Sequence, residues 1–179
     1  MTDTLINPPR TIMEVFRMLP EGTLAEVIDN QLYMSPTPVS NHQRMVGKLF
    51  TSITLFVEAN TLGEVFFAPI DVFLDSEENA VQPDIFFISK SKSSIVHDNG
   101  YIHGVPDLII EVLSPSNKKH DLVIKKALYE KFGVQEYWVV DPKTKLATGF
   151  TLLGKTYTIL AEDSTSLTSK LLQKTFSIA

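Results

Sequence analysis

The chain has 179 residues, a size that suits one domain and a core needing no crosslink. It has no cysteine, which excludes disulfide frameworks, zinc–thiolate sites and thiol nucleophiles. A net charge of −5 argues against a protein that coats nucleic acid without specificity, although an acidic metal site beside a local basic patch gives the same balance.

The opening segment MTDTLINPPR lacks the apolar centre of a signal peptide, and no apolar run approaches the roughly 20 residues of a membrane span. A cytoplasmic protein without membrane contact is therefore expected. Residues 11–19 read as a short helix ended by Pro20. LAEVI and QLYM alternate about Asp29-Asn30 and suggest a hairpin. After Pro36 and Pro38 a longer helix is expected from about Asn41 to Asn60, capped by Ser40 or Asn41. Met45, Val46, Leu49, Ile53 and Phe56 mark its buried face, and His42 lies on the same stripe.

Three strand-like runs follow, at 64–74, 81–89 and 106–114, each apolar enough for a strand covered on both faces. A helix is expected from Asp121 to Phe132, ended by Gly133, and then a strand over 136–142. The rest reads as a terminal hairpin, turning at Gly149 and Gly154, and a short tail. The middle of the chain thus runs helix, strand, strand, strand, helix, strand. A single domain over residues 1–179 is expected, with its core at about 22–157.

Glu111 interrupts the run Leu108-Ile109-Ile110-Glu111-Val112-Leu113 and shares a strand face with Ile109 and Leu113. A buried carboxylate is costly unless paired or bound to a cation. A glutamate near a strand end can also simply reach water or an arginine, so a partner acid decides the reading. Asp107 is on the same face but four residues away, roughly 13 Å at ~3.3 Å per residue, too far to share an ion. Asp84 opens the preceding strand, and adjacent strands are only ~4.8 Å apart. Asp84 and Glu111 are therefore the expected metal pair, with Asp71 as a third acid that can line the same site. Hard oxygen ligands of this kind suit Mg²⁺ or Mn²⁺. The histidines His42, His97, His103 and His120 form no zinc-protease pair.

On a helical wheel, Lys126 and Glu130 fall together on a solvated face, whereas Lys125 falls among Phe132, Leu128 and Tyr129. Lys125 can snorkel to water. It can equally aim into a site and offset phosphate charge there. Lys118, Lys119, Lys125, Lys126 and Lys131 also make the segment after Glu111 basic, which attracts an anion.

Several strings together resemble a known family: Pro83-Asp84, then Glu111-Val112-Leu113-Ser114-Pro115-Ser116, then Asp121-x-x-x-Lys125-x-x-x-Tyr129, then Gly133-Val134-x-Glu136-Tyr137-Trp138-x-Val140-Asp141-Pro142. This pattern, with Asn41-His42 opening the first long helix, resembles the Uma-two family of endonucleases within the PD-(D/E)XK, restriction-endonuclease-like superfamily. The match runs from about Gly22 to about Tyr157. The resemblance implies an α/β fold with an αβββαβ core, a mixed central sheet flanked by helices, and hairpin additions at both ends. It also implies that Asp84 and Glu111 bind a divalent metal and that water attacks a phosphodiester. The superfamily lysine two residues after the glutamate is Leu113 here, so the resemblance assigns the amine to Lys125 on the helix. It places His42 near the acids, to orient a ligand or contact phosphate; a core or helix-end histidine is the other reading.

The expected function is that of a Mg²⁺- or Mn²⁺-dependent endodeoxyribonuclease acting on DNA. The alternatives are a non-catalytic nucleic-acid-binding or assembly module that keeps the fold, and a hydrolase of smaller phosphate esters. By analogy with nucleases that cut two strands, a homodimer is expected.

Overall fold

The structure, a computed structural model, describes residues 8–98, 100–114 and 120–179. The chain opens with α1 (Ile12–Arg17), where Thr11 accepts from Glu14 N at 3.1 Å and the Glu14 carboxylate accepts from Thr11 N at 3.3 Å. This reciprocal cap satisfies amides that a helix start leaves free. The hairpin β1 (Ala25–Ile28) and β2 (Gln31–Met34) turns at Asp29 and Asn30, with φ of 46° and 60°, a conformation that Asn and Asp tolerate better than most residues. The long helix α2 spans Ser40–Ala59. Its N-cap is Val39, which makes no side-chain cap, so neither Ser40 nor Asn41 caps it as expected. Its buried stripe is His42, Met45, Val46, Leu49, Ile53 and Val57, while Phe56 is only half-buried.

Two of the three long apolar runs do not form single strands. The first divides into β3 (Gly63–Phe67) and β4 (Val72–Phe73), with Pro69 between them. The second divides into β5 (Ala80–Val81) and β6 (Ile85–Ser89), with Pro83 between them. Proline lacks the N–H that a continuing ladder needs, and each break lets the chain change sheets. A 3₁₀ segment (Lys90–Ile95), β7 (Ile102–His103) and β8 (Leu108–Val112) follow. The expected helix over 121–132 begins as a π-helical turn (His120–Lys125) and continues as α3 (Lys126–Phe132). It ends at Gly133, whose φ of 83° is the left-handed conformation glycine adopts without strain.

Next come β9 (Glu136–Val140), β10 (Ala147–Leu153) and β11 (Thr156–Asp163). Gly149 is not the expected turn. It lies within β10 at a register shift, where a Cβ would meet the Trp138 ring at 2.5 Å. The turn is at Gly154. The tail is itself a hairpin, β12 (Ser166–Ser169) and β13 (Lys174–Ser177).

The main sheet has the order β11-β10-β9-β8-β6-β3, with β8 and β9 parallel and the other pairs antiparallel. Its elements in chain order are α2, β3, β6, β8, α3 and β9, the αβββαβ core with a mixed sheet flanked by helices. The intervening short strands join the N-terminal hairpin in a second sheet, β2-β1-β5-β4-β7. Alternation along β8 divides the core. Leu108, Ile110 and Val112 pack with the α2 stripe, whereas Ile109 and Leu113 pack with Leu128 and Tyr129 of α3. Glu111 therefore faces the α3 side. No described helix is long and apolar enough to cross a membrane.

Candidate functional site

The register of β6 on β8, Ile85↔Ile110 and Phe86↔Ile109, sets Asp84 opposite Glu111 on one face. Backbone amides tie the two acids together. Val112 N donates to Asp84 Oδ2 at 2.7 Å, and Asp84 N donates to Glu111 Oε2 at 3.3 Å. His42, at the start of α2, brings Nε2 to 3.0 Å from Asp84 Oδ2. The expected convergence of Asp84, Glu111, Lys125 and His42 is thus observed, and all four line one cavity of about 300 Å³.

Lys125 does not snorkel. It is buried, and its ammonium donates to Glu111 Oε1 at 2.7 Å. Tyr129, one turn later, donates to the same oxygen at 2.8 Å. The spacing of four residues puts both side chains on one helix face. Lys126, expected on a solvated face, is half-buried with its ammonium 4.5 Å from the Phe150 ring centre. Lys118 and Lys119 of the basic segment, and Pro115-Ser116 of the family string, lie outside the described residues.

Asp71 stands apart from the pair. It accepts from Gln82 Nε2 at 2.8 Å and lines a neighbouring cavity. Asp107 sits at the far end of β8, where it pairs with Lys92 at 2.9 Å and accepts from Ser89 N at 2.8 Å. It serves the strand end, as expected.

Sequence reasoning gave no site role to Glu26 or His120, nor to Asp121 and Tyr129, although those two stood with Lys125 in the family string. Glu26 on β1 is buried and accepts from Lys125 at 2.8 Å and from Gln82 N at 2.8 Å; His120 Nε2 lies 3.4 Å from its other oxygen. The signal was available, because Glu26 interrupts the apolar run Leu24-Ala25-Glu26-Val27-Ile28 much as Glu111 interrupts its own. Asp121 enters the same cavity from the π-helical turn.

Burial and mutual charge together set the titration of this cluster. Burial pushes the Glu111 carboxyl well above its ordinary range; Lys125 opposes the rise, and Asp84, Asp121 and Glu26 reinforce it. Burial likewise carries Asp121 from 3.8 to about 6, against the pull of Lys125 and with the push of Asp84 and Glu26. Burial also works against the charged form of Glu26, but Lys125 and His120 outweigh it and hold that carboxyl low. For Lys125, burial is overcome by Glu111, Glu26 and Asp121, and the ammonium stays charged well beyond its usual range. An ammonium held in this way keeps its proton. For His42, burial is outweighed by the contact with Asp84, with Asp121 assisting, and the ring titrates above 6.5.

The donor set fits a hard divalent cation. Among the described residues no group of three or more acids and histidines is gathered in metal-binding geometry. Asp84 and Glu111 nevertheless supply adjacent carboxylates, and Mg²⁺ commonly uses one or two carboxylates with water and phosphate oxygens. A dication there would offset the negative charge that adds to burial in raising Glu111 and Asp121.

A family model described as "Uma2: Putative restriction endonuclease" matches residues 13–179. A search of curated proteins gives no match. Among solved structures, one described as a "putative nuclease belonging to DUF820" from Anabaena variabilis ATCC 29413 superposes with a TM-score of 0.76 at 19% identity, covering 95% of this chain and 96% of that one. That likeness shows the fold.

Proposed function

The chain belongs to the Uma2 family, and from this membership we propose that it is a Mg²⁺- or Mn²⁺-dependent nuclease hydrolysing phosphodiester bonds of DNA. The observation that carries the reading is the set of two facing carboxylates, Asp84 and Glu111, with the permanently charged Lys125 ammonium 2.7 Å from Glu111.

Asp84 and Glu111 would hold the cation. When bound, it would supply Lewis acidity toward phosphoryl oxygen and a more acidic water. The protein's own groups prepare the rest. Val112 N and His42 fix one oxygen of Asp84, leaving its other oxygen for a ligand. Tyr129 and Lys125 both hold Glu111 Oε1, which turns Oε2 toward Asp84. The Lys125 cation offsets charge that develops on the phosphate as water adds and the P–O bond breaks, yielding a phosphate monoester and a hydroxyl end. His120 also lines the cavity, beside Glu26.

The test is incubation with plasmid, linear and single-stranded DNA in Mg²⁺, in Mn²⁺ and in EDTA. Cleavage with either ion, lost in EDTA and in Glu111→Gln, is the expected result. No cleavage of any form, or cleavage indifferent to EDTA, overturns the reading.

A further inference from the structure

β3 is a free edge of the main sheet, and its ladder with β6 shows which of its backbone groups are in use. Lys90 N donates to Leu62 O at 3.0 Å, and Ala68 N donates to Asp84 O at 3.1 Å. These two bonds frame the pairs from Gly63↔Ser89 to Phe67↔Ile85. Along an antiparallel strand, successive residues turn their backbone groups alternately toward the partner and away from it. Glu64 and Phe66 therefore face β6, while Gly63, Val65 and Phe67 present N–H and C=O outward. Among the described residues nothing bonds to these outward groups.

Free edges are usually guarded by a bulge, a proline, outward charge or brevity. The opposite edge, β11, is guarded: its register on β10 shifts at Gly149/Phe150, and it ends in Glu162-Asp163. The register of β3 is unbroken over five residues, and Pro69 lies beyond its end. Its one charged residue, Glu64, is among those turned toward β6.

The side chains carry the argument further. Gly63, Val65 and Phe67 lie on the α2 face, because Phe87 and Ile85, the partners of Val65 and Phe67, pack with the α2 stripe. The Phe67 ring rests on Phe50, with centres 4.4 Å apart, and is still 52% exposed. That leaves apolar surface in water at a cost. Gly63 leaves a gap on the same face, and the gap is obligatory, since a Cβ there would collide with the Ile88 carbonyl.

We infer that β3 is an interface with a second copy of this chain, paired antiparallel about a two-fold axis at Val65. The two Val65 residues then exchange a pair of hydrogen bonds, and Gly63 of each copy exchanges a pair with Phe67 of the other. Every outward group of the strand finds a partner. Each Phe67 ring lies opposite a Gly63 and covers its gap, the arrangement by which an aromatic side chain compensates a glycine in a sheet. Glu64 falls opposite Phe66 on the other face, and the two Glu64 residues are diagonal neighbours ~7–8 Å apart, not directly opposed. The match is isologous, as a two-fold contact requires, and it joins two main sheets into one. It holds whether or not the chain cuts DNA.

The experiment combines sedimentation equilibrium with amide hydrogen exchange read by NMR. The wild type should be a dimer at high micromolar concentration. In it the amides of Gly63, Val65 and Phe67 should be as protected as those of Glu64 and Phe66, although only the latter are bonded within one chain. Val65→Pro removes an outward N–H and no bond to β6, and Phe67→Lys puts a charge on the edge. Each, read separately so that a misfolded variant leaves the other usable, should be monomeric. In Phe67→Lys the amides of Gly63 and Val65 should exchange freely while those of Glu64 and Phe66 stay protected. A monomeric wild type overturns the inference. So does a dimer that persists in either folded variant, or a wild-type dimer whose three outward amides exchange freely, since the copies then meet on another surface.

Discussion

Lys125 and Glu26 form a second ion pair behind the first. The ammonium is 2.8 Å from Glu26 and 2.7 Å from Glu111, with each of the three side chains at most 5% exposed. One cation therefore compensates two buried carboxylates. Removing one partner from a buried pair is costly, because the charge left behind is neither solvated nor compensated.

Lys125→Ala should lower unfolding stability by about 3–5 kcal/mol, measured in urea. It should also slow cleavage on the order of 10²–10³. Lys126→Ala should change both far less, losing mainly a partly exposed cation–ring contact worth about 1 kcal/mol. Adding Glu26→Gln to Lys125→Ala should return part of the stability, since one stranded charge disappears. Equal urea midpoints for the two alanine variants would contradict the buried pairing.

Glu111→Gln should abolish Mn²⁺ binding in calorimetric titration while the metal-free protein stays folded. The amide keeps an oxygen for Lys125 and Tyr129, and the substitution relieves repulsion from Asp84, Asp121 and Glu26. Unchanged Mn²⁺ affinity would exclude Glu111 as a ligand.

Asp121→Asn should stabilise the protein above pH 6 and lose that advantage in acid. The Asp121 carboxyl titrates at about 6 in the folded chain against 3.8 when unperturbed, so as pH falls the folded state takes up its proton first. Its charge is therefore a penalty fully present above about 6, of up to ~3 kcal/mol, and relieved as pH drops toward 3.8. Thermal unfolding of both proteins from pH 4 to 8 would show the curves converging in acid. Parallel curves would rule out the penalty.

The His42 imidazole should titrate above 6.5 by NMR and fall below it in Asp84→Asn. Burial alone lowers the pKa, and the Asp84 contact at 3.0 Å reverses that direction. The stabilisation from this pair is fully present below 6.5 and lost as pH rises through the folded-state value. A midpoint indifferent to Asp84→Asn would show that another group holds the proton.

Asp84 and Glu111 were legible in the sequence because each carboxylate meets an apolar strand, and strand spacing ruled out Asp107. Lys125 was legible from its place on an apolar helix stripe. Glu26 was not singled out, because LAEVI was read only as one arm of an alternating hairpin. In fact β1 runs between β2 and β5, and all four of its residues are buried. The change of sheet within 64–74 and 81–89 was also missed. Apolar composition looks the same on either side of Pro69 and Pro83, and only pairing partners reveal that the halves serve different sheets. Asp121 and Tyr129 stand four residues either side of Lys125 in the family string and share its helix face, but only the folded contacts show that they enter the site.

The crossover Gln82-Pro83-Asp84 has a mechanical consequence. It leaves β5 in one sheet and enters β6 in the other, while Gln82 N is held by Glu26 and Asp84 by Val112 N. The segment works as a strut between two plates, so shear between them reaches Asp84 along the chain; it reaches Glu111 as well, through the Lys125 ammonium that bridges Glu111 of the main sheet and Glu26 of the second. The geometry of the acid pair thus depends on how the sheets sit on one another. Packing at Val27 and Ala80, where β1 meets β5, is in this sense part of the calibration of the site.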